Sequence, residues 1–411
     1  MDCRPHHSCK QAETSLIVMR SFSAFLIAVI ITASRSTSWA SVTIPLTKLE
    51  RAGSYLQGSA HADRARASFL KTTSGPKTIP ATNLVYIQYT TSVGVGCPPT
   101  YYNLIVDTGS SNTFVGTGKK YVRTSTSVPT GQNVTVNYGS GFFSGIEYND
   151  TVTLAAGFVI ANQSIGDALK FANFDGVDGI IGVGPVDLTQ DTLFPDTDTL
   201  IPTIMDNALK QGLIKQRIFG ISFAPATTSN DTNGAITYGG IDPAFYTGNI
   251  TYAPVTKIHP AAHYWGINVT DVTYGTHTVI PRSTAGIVDA GTSLVVLADD
   301  FFFRYLQAIP GAYLDVNNTG LIVIPPSSVA GMQPLNFTIN GRAFSMDTAA
   351  QLIPLNENAI WGIETGVQYG VITNLGADSG RGSDFILGQK FMEKYYVVFD
   401  CQSQTRWLCV H

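Results

Sequence analysis

Ile105-Val106-Asp107-Thr108-Gly109-Ser110-Ser111 has a near copy in the second half of the chain, Ile287-Val288-Asp289-Ala290-Gly291-Thr292-Ser293. Each stretch is an apolar strand that ends in an aspartate, with a glycine-containing turn and hydroxyl residues directly behind it. Two such loops facing each other would place two carboxyl groups together. Because a pair of close carboxyl groups cannot both ionise at low cost, they share one proton and act as an acid and a base. Asp107 and Asp289 therefore predict a site suited to peptide hydrolysis at low pH.

A second repeated element indicates a duplicated fold. An apolar-apolar-glycine triplet follows each aspartate, at residues 180–182 in the first half and 386–388 in the second. Beyond residue 80 the chain is rich in β-branched and aromatic runs separated by turn residues, and helical patterns occur only at 201–211 and 299–308. We therefore expect an all-β fold with two related lobes, residues 78–247 and 248–411.

Composition supports a folded body and excludes one class of partner. The chain has 411 residues, of which 44% are hydrophobic and 13% charged, as expected for well-buried sheets. Residues 78–411 hold fifteen basic and twenty-five acidic residues. Because such an acidic surface cannot neutralise phosphates, we expect no nucleic-acid partner.

The N-terminus predicts secretion. A basic residue, a short apolar run and small residues before position 41 indicate a signal peptide at 19–40, and residues 1–18 have no assigned role. The C-terminus carries no apolar tail for a lipid anchor. We expect a secreted glycoprotein, since Asn-x-Ser/Thr sequons occur at Asn133, Asn149, Asn162, Asn230, Asn249, Asn268, Asn317 and Asn336.

From about residue 78 to the C-terminus the chain resembles the pepsin-like aspartic endopeptidases, and most of all the secreted fungal polyporopepsin type. The resemblance is carried by residues 174–189, FDGVDGIIGVGPVDLT, and 264–268, YWGIN. It implies two β lobes related by a pseudo-twofold axis, with a cleft between them for an extended peptide. It also implies that each apolar-apolar-glycine strand lies beside its catalytic loop.

The resemblance assigns roles to the two loops. Asp107 and Asp289 would hold and activate one water molecule, and no cofactor or metal is implied. Ser110 and Thr292 would hydrogen-bond the outer carboxylate oxygens. The glycines of the two loops, Gly109 and Gly291, would let the substrate backbone approach closely.

The resemblance also implies a flap, a hairpin that closes over the peptide. Tyr138, Gly139 and Ser140 match its tip. Some fungal relatives carry an aspartate where Ser140 stands and use it to accept a substrate lysine. Since serine has no charge, we expect a preference for large apolar residues on both sides of the cut bond.

Two positions depart from the family pattern. In the family, a threonine hydroxyl in each loop bonds the backbone of the other loop; Thr108 can do this, but Ala290 cannot. Phe114 stands where many pepsins have a tryptophan that hydrogen-bonds the flap tyrosine, so Tyr138 must find another partner or move more freely. We expect reduced rigidity before lost activity.

Residues 41–77 resemble a propeptide. They carry six basic and two acidic residues, and this net charge of +4 would attract them to the acidic body at neutral pH. Lys71 and Lys77 are the candidates to reach the aspartates, with release on acidification. The expected partners are thus protein and peptide substrates and the propeptide itself, on a monomer without a membrane anchor. A merely solvated basic linker is the alternative interpretation of this segment.

Other functions have weaker support. His259 and His263 have the spacing of a zinc-binding pair, but Pro260 stands where the catalytic glutamate of such a motif belongs, so we expect no metal site. The alternative from another class is a catalytically silent relative that binds peptides or proteins in the cleft. Ala290 and Phe114 are its only support, whereas the intact acidic pair favours an enzyme.

Overall fold

A computed structural model of the protein describes residues 41–49, 59–70, 88–138, 141–224, 233–359, 361–401 and 407–410. The predicted signal peptide and the extension before it lie outside the described residues, as do residues 71–77 of the predicted propeptide. The predicted flap residues Gly139 and Ser140 also lie outside them.

Strands dominate the first half of the described chain. In chain order they are β1 (Val42–Leu49), β2 (Gln88–Val95), β3 (Thr100–Asp107), β4 (Thr113–Val115), β5 (Val128–Asn137), β6 (Phe142–Ala155), β7 (Phe158–Ala172), β8 (Gly179–Gly182), β9 (Leu193–Phe194), β10 (Ile218–Ser222) and β11 (Gly234–Tyr238). The helices here are α1 (Ser59–Leu70) and α2 (Ile204–Lys210).

The second half has the same character. Its strands are β12 (Thr251–Pro254), β13 (Gly266–Tyr274), β14 (His277–Ile280), β15 (Thr284–Val288), β16 (Val295–Leu297), β17 (Tyr313–Leu314), β18 (Ile322–Val323), β19 (Leu335–Ile339), β20 (Arg342–Met346), β21 (Tyr369–Gly370), β22 (Ile372–Asn374), β23 (Phe385–Leu387), β24 (Val397–Asp400) and β25 (Trp407–Val410). Its helices are α3 (Asp299–Gln307), α4 (Pro326–Val329) and α5 (Gln389–Met392).

The two predicted helices are present, with small differences at their ends. The helix expected at 201–211 begins at Ile204 because Thr203 caps it: the threonine hydroxyl accepts from the Asp206 amide, and the Asp206 carboxylate accepts from the Thr203 amide. The helix expected at 299–308 ends one residue earlier, at Gln307.

Three sheets organise the described strands. The largest has the order β12-β25-β24-β10-β11-β1-β2-β3-β8-β4-β7-β6-β5-β9, so strands from both halves of the chain meet in it. The second has the order β20-β19-β13-β15-β23-β16-β22, with β14 beside β13, and a small sheet contains β17, β18 and β21. β1, from the predicted propeptide, lies inside the largest sheet between β11 and β2.

The duplicated plan is visible in the strand pairing. β3 runs parallel to β8, with Asp107 opposite Gly182, and β4 then pairs antiparallel with β8. In the second half β15 runs parallel to β23, and β16 pairs antiparallel with β23. In both halves the strand that leads to the aspartate and the strand that leaves its loop therefore flank the apolar triplet.

A buried aromatic group lies beneath the two aspartate loops. Phe219 and Phe399 stack with ring centroids 4.7 Å apart, and Trp265 meets both rings edge-on. The Trp265 indole donates to the Val183 carbonyl at 3.4 Å, and its own carbonyl accepts from the Val288 amide at 3.0 Å. Trp265 thus connects the strands that support the first and second loops.

Candidate active site

The two sequence-predicted carboxylates occupy equivalent positions. Asp107 is the last residue of β3, and Asp289 follows β15 directly. The Val183 amide donates to the Asp107 carbonyl at 2.8 Å, whereas the Asp289 amide donates to the Leu387 carbonyl at 3.1 Å. The side chains are 1% and 0% exposed, so both carboxylates are buried.

Each carboxylate receives the same two hydrogen bonds from its own loop. Asp107 Oδ1 accepts from the Gly109 amide at 2.9 Å, and its Oδ2 accepts from the Ser110 hydroxyl at 2.6 Å. Asp289 Oδ1 accepts from the Gly291 amide at 3.0 Å, and its Oδ2 accepts from the Thr292 hydroxyl at 2.6 Å. These bonds fix both carboxyl planes in the same orientation within their loops.

The loop glycines make room for the opposite carboxylate. A Cβ at Gly109 would lie 2.7 Å from Asp289 Oδ1, and one at Gly291 would lie 2.5 Å from Asp107 Oδ1. Since contacts this short do not occur for real Cβ atoms, any side chain at either position would displace the atoms around it, including the opposite carboxylate. The role expected from the sequence, to let the substrate backbone approach closely, is compatible with this need for space around the opposite carboxylate.

An arginine that sequence reasoning missed lies between the two carboxylates. Arg66, in α1, donates from Nη2 to Asp107 Oδ1 at 2.6 Å and from Nε to Asp289 Oδ2 at 2.6 Å. A third bond joins Nη2 to Asp289 Oδ1 at 3.1 Å. The residues named from the sequence, Lys71 and Lys77, lie outside the described residues.

The pKa values of the two carboxyl groups are shifted in opposite directions when Arg66 is present. Burial, together with the charge of Asp289, raises the pKa of Asp107 above its ordinary value despite the opposing effect of Arg66. Burial also acts to raise the pKa of Asp289, but the charge and hydrogen bonds of Arg66 outweigh it, so that pKa lies below its ordinary value. The pair titrates as one coupled unit.

A second residue of α1 holds the helix against the second loop. The Asp63 side chain is fully buried and accepts from the Leu294 amide at 2.8 Å and from the Ser293 amide at 3.2 Å. Burial raises the pKa of Asp63 to about 7, in spite of these two bonds.

The reciprocal brace between the loops is present on one side. The Thr108 hydroxyl accepts from the Ala290 amide of the opposite loop at 2.8 Å, and the methyl group of Ala290 cannot return such a bond. Gln389, at the start of α5, holds the second loop from another direction: its side-chain amide donates to the Ala290 carbonyl at 2.8 Å. Its backbone amide donates to the Thr292 carbonyl at 2.8 Å.

The predicted flap is a hairpin made by β5 and β6. Asn137 pairs with Phe142, and the Tyr138 amide donates to the Gly141 carbonyl at 2.7 Å. Tyr138 is buried and close enough to Asp107 and Arg66 for their charges to affect the pKa of its hydroxyl, which burial raises.

Tyr138 packs by its ring rather than through its hydroxyl. Its ring centroid lies 5.9 Å from that of Phe114, 6.4 Å from that of Phe143 and 5.7 Å from that of Phe174. Among the described residues its hydroxyl has no hydrogen-bond partner; the Ser110 hydroxyl is near enough to lower the tyrosine pKa but not in hydrogen-bonding geometry. Packing against these three phenylalanines thus replaces the hydrogen bond that a tryptophan at position 114 would make with Tyr138.

The two histidines considered as metal ligands contact each other. His259 Nδ1 and His263 Nε2 are 3.1 Å apart. In the part of the chain that the structure describes, no group of three or more histidine, cysteine or acidic side chains could hold a metal ion.

Replacing Thr108 by valine tests the brace. Valine keeps the shape of the side chain but leaves the buried Ala290 amide without its acceptor, so the free energy of unfolding in urea should fall by about 1 to 3 kcal/mol. Thr108→Ser keeps the hydroxyl, so its free energy of unfolding should fall by clearly less. Equal losses in both variants would show that the hydroxyl is not the stabilising group.

Replacing Tyr138 by phenylalanine tests the unpartnered hydroxyl. Since the variant removes no hydrogen bond, we expect a change of less than about 1 kcal/mol in the free energy of unfolding. Tyr138→Ala removes the packed ring as well and should cost about 3 to 5 kcal/mol. A loss of about 2 kcal/mol or more in Tyr138→Phe would mean that the hydroxyl has a hydrogen-bond partner.

Comparison with known proteins identifies the fold and the chemistry. The family model described as eukaryotic aspartyl protease matches residues 88–408. Polyporopepsin of Irpex lacteus is 51% identical over 322 residues, which cover 78% of this chain and 93% of that protein. Pepsin A of Suncus murinus is 28% identical over 339 residues, covering 78% of this chain and 80% of its own length.

A solved structure agrees with these matches. The crystal structure of the aspartic proteinase from Irpex lacteus superposes with a TM-score of 0.78 at 43% identity, covering 90% of this chain and 97% of that one. Within the described residues, no helix is long and apolar enough to cross a membrane. The chain therefore belongs to the eukaryotic aspartyl protease family and is a pepsin-like aspartic endopeptidase with the two-lobed β fold of that family.

Proposed function

We propose that the chain is the acid-activated precursor of a secreted endopeptidase whose catalytic residues are Asp107 and Asp289. The observation that carries this proposal is the guanidinium of Arg66, which bonds both carboxylates where a substrate peptide would have to bind. Secretion is supported by the signal-peptide pattern at 19–40 and by the sequons.

In the released enzyme the two carboxyl groups would share one proton. The ionised carboxylate takes a proton from a water molecule as that water attacks the scissile carbonyl, and the protonated partner donates a hydrogen bond to the developing oxyanion. Ser110 and Thr292 hold the outer oxygens, so the inner oxygens are left for the water and the substrate.

Residues 41–77 would keep the precursor inactive. β1 fills a place in the largest sheet, and α1 brings Arg66 to the carboxylates while Asp63 fastens the helix to the second loop. The Arg66 guanidinium occupies the place between the carboxylates that the attacking water and the peptide carbonyl would need.

The Arg66 contact is weakened by acid. Arg66 holds the pKa of Asp289 below its ordinary value against the opposing effect of burial, so loss of the arginine lets that pKa rise. This contribution to docking is therefore complete above the pKa of the released state and is lost as the pH falls through the pKa of the bound state.

Substrate preference would follow from the aromatic cluster beside the dyad. Phe114, Tyr138 and Phe174 lie within ring-contact distance of one another, and Tyr138 is near Asp107. Such a surface favours large apolar side chains next to the cut bond.

Amide substitution tests the dyad. Asp107→Asn or Asp289→Asn should lower the kcat for casein digestion at about pH 4 by about 10⁴-fold or more, because neither proton sharing nor water activation remains. The exposed Asp198→Asn, with the same charge change, should retain full activity. A folded Asp289→Asn enzyme with wild-type turnover would contradict the role of the dyad, whereas a wild-type enzyme that binds peptide without turnover would support the silent, peptide-binding alternative.

Removal of the arginine tests the propeptide. Arg66→Gln leaves the coupled carboxylates without their cation, a loss of about 3 to 5 kcal/mol for a buried pair, so conversion of the precursor should occur at higher pH than in the wild type. Gel analysis after a fixed incubation across pH 3 to 7 gives the half-conversion pH. Arg282→Gln, which removes an exposed arginine outside residues 41–77, should leave that pH nearly unchanged; equal shifts in both variants would contradict the role of Arg66.

A further inference from the structure

Gln389 makes a buried contact that the mechanism above does not use. It is 2% exposed and is the first residue of α5, directly behind the triplet at 386–388. Its side-chain nitrogen Nε2 lies 2.8 Å from the carbonyl oxygen of Ala290, in the loop of the second aspartate. Because a carbonyl oxygen can only accept a hydrogen bond, the NH₂ group of the glutamine must face it.

The acceptor belongs to the peptide group that holds Asp289. The Ala290 carbonyl and the Gly291 amide are the two ends of one peptide bond, and that amide donates to Asp289 Oδ1 at 3.0 Å. The glutamine, the peptide group and the carboxylate therefore form one continuous chain of hydrogen bonds. Hydrogen bonds in such a chain polarise one another, so donation from Gln389 to the carbonyl strengthens donation from the amide to the carboxylate.

The loop of the first aspartate has no equivalent support. The Gly109 amide donates to Asp107 Oδ1 in the same way, but the residue that corresponds to Gln389 is Val183, whose side chain has no donor. Among the described residues, no side chain donates to the Thr108 carbonyl. Since each carboxylate accepts the same two bonds from its own loop, Gln389 makes the two otherwise matching sites unequal.

We propose that Gln389 is a positioning residue for Asp289, and that its bond to the Ala290 carbonyl keeps Asp289 the ionised member of the dyad in the released enzyme. This inference rests on the proposed catalytic role of the two aspartates. A hydrogen bond to the charged form of a carboxyl group favours that form, and Gln389 strengthens such a bond on Asp289 alone. Asp289 would then take the proton from the attacking water, and Asp107 would carry the shared proton.

The other charged groups near Asp289 do not supply this difference once the propeptide has left. In the described residues, the titratable groups that face Asp289 are Asp107, Arg66, Asp63 and Tyr264. The two that lie on α1 belong to the proposed propeptide. Burial raises the pKa of Tyr264 to about 12, so its hydroxyl is neutral in acid. Lys390, beside the glutamine, instead pairs with Glu393 at 2.9 Å and lies 4.0 Å from Glu357.

Gln389→Met removes the donor and keeps the approximate size of the side chain. Since the ionised form of Asp289 would lose support, the acid limb of kcat/KM should move to higher pH by about half a unit. The kcat at the optimum should fall by about tenfold because the carboxylate is less well oriented. KM should change little, since the buried glutamine does not touch the substrate.

The rates are measured on acid-converted protein made from the full chain, across about pH 2 to 6. The substrate is a fluorogenic peptide with large apolar residues on both sides of the cut bond. Thermal unfolding of each variant shows whether it is folded under the conditions of the assay.

Gln389→Glu gives a pH-dependent rescue that a purely structural role would not produce. Burial keeps the new carboxyl group protonated in acid, and its O–H can then donate to the Ala290 carbonyl. The kcat should therefore stay within about twofold of wild type at the acid end of the range and fall at higher pH, because a carboxylate cannot donate. This variant also decides the question if Gln389→Met does not fold.

Gln351→Met is the matched control. Gln351 is a buried glutamine whose side-chain amide donates to the carbonyls of Gln333 and Met346, which lie outside the two aspartate loops. Its loss should lower the Tm but leave the acid limb of kcat/KM where it is in the wild type. An equal shift of the acid limb in Gln351→Met and Gln389→Met would contradict the proposed role.

Two further outcomes would overturn the inference. One is a folded Gln389→Met enzyme with the wild-type kcat and acid limb. The other is a Gln389→Glu enzyme that matches Gln389→Met at every pH. A folded Asp289→Asn enzyme with wild-type turnover contradicts the proposed dyad instead, so failure of the proposed function is distinguished from failure of this inference.

Discussion

The central constraint on this molecule is that two carboxylates are buried facing each other. Taking one carboxylate out of water is costly, and a second one nearby increases the cost. The fold meets this cost locally, because each aspartate receives one backbone amide and one hydroxyl from its own loop. The parallel pairing with β8 or β23 then fixes where each loop emerges. Gly109 and Gly291 have no side chain because a Cβ would occupy the space that the opposite carboxylate needs.

The sequence predicted the parts of this site that depend on local geometry. Bonds from Asp107 to residues two and three positions ahead follow from the turn itself, and the repeat at Asp289 showed that the turn occurs twice. The one-sided brace could also be predicted, since Ala290 has no hydroxyl to offer. Gln389 was missed because its contact with the second loop joins residues that are far apart in the sequence. The triplet at 386–388 was expected beside this loop, but the triplet does not indicate that the residue after it bonds the loop.

Arg66 could not be found from the sequence for a different reason. The buried face of α1 combines Asp63 and Arg66 with Ala67 and Leu70, so two of its inward positions are charged. A pattern search for apolar residues at helical spacing fails on such a face. The sequence analysis therefore named Lys71 and Lys77, and not Arg66, as the basic residues that would reach the aspartates. The rotation of α1 about its own axis decides which side chain points at the carboxylates. Only the tertiary structure gives that rotation.

If residues 41–77 act as the proposed propeptide, the groups that hold this segment do not respond to acid in the same way. Asp63 has a raised pKa of about 7 in the docked helix, so it binds a proton on docking and acid strengthens its contribution. Asp289 bonds Arg66, and Glu393 has its Oε1 3.3 Å from Nζ of Lys48 on β1. Both carboxyl groups have lowered pKa values in this state, so acid weakens their contributions. For the proposed release by acid, the combined effect of Asp289 and Glu393 would have to exceed the effect of Asp63.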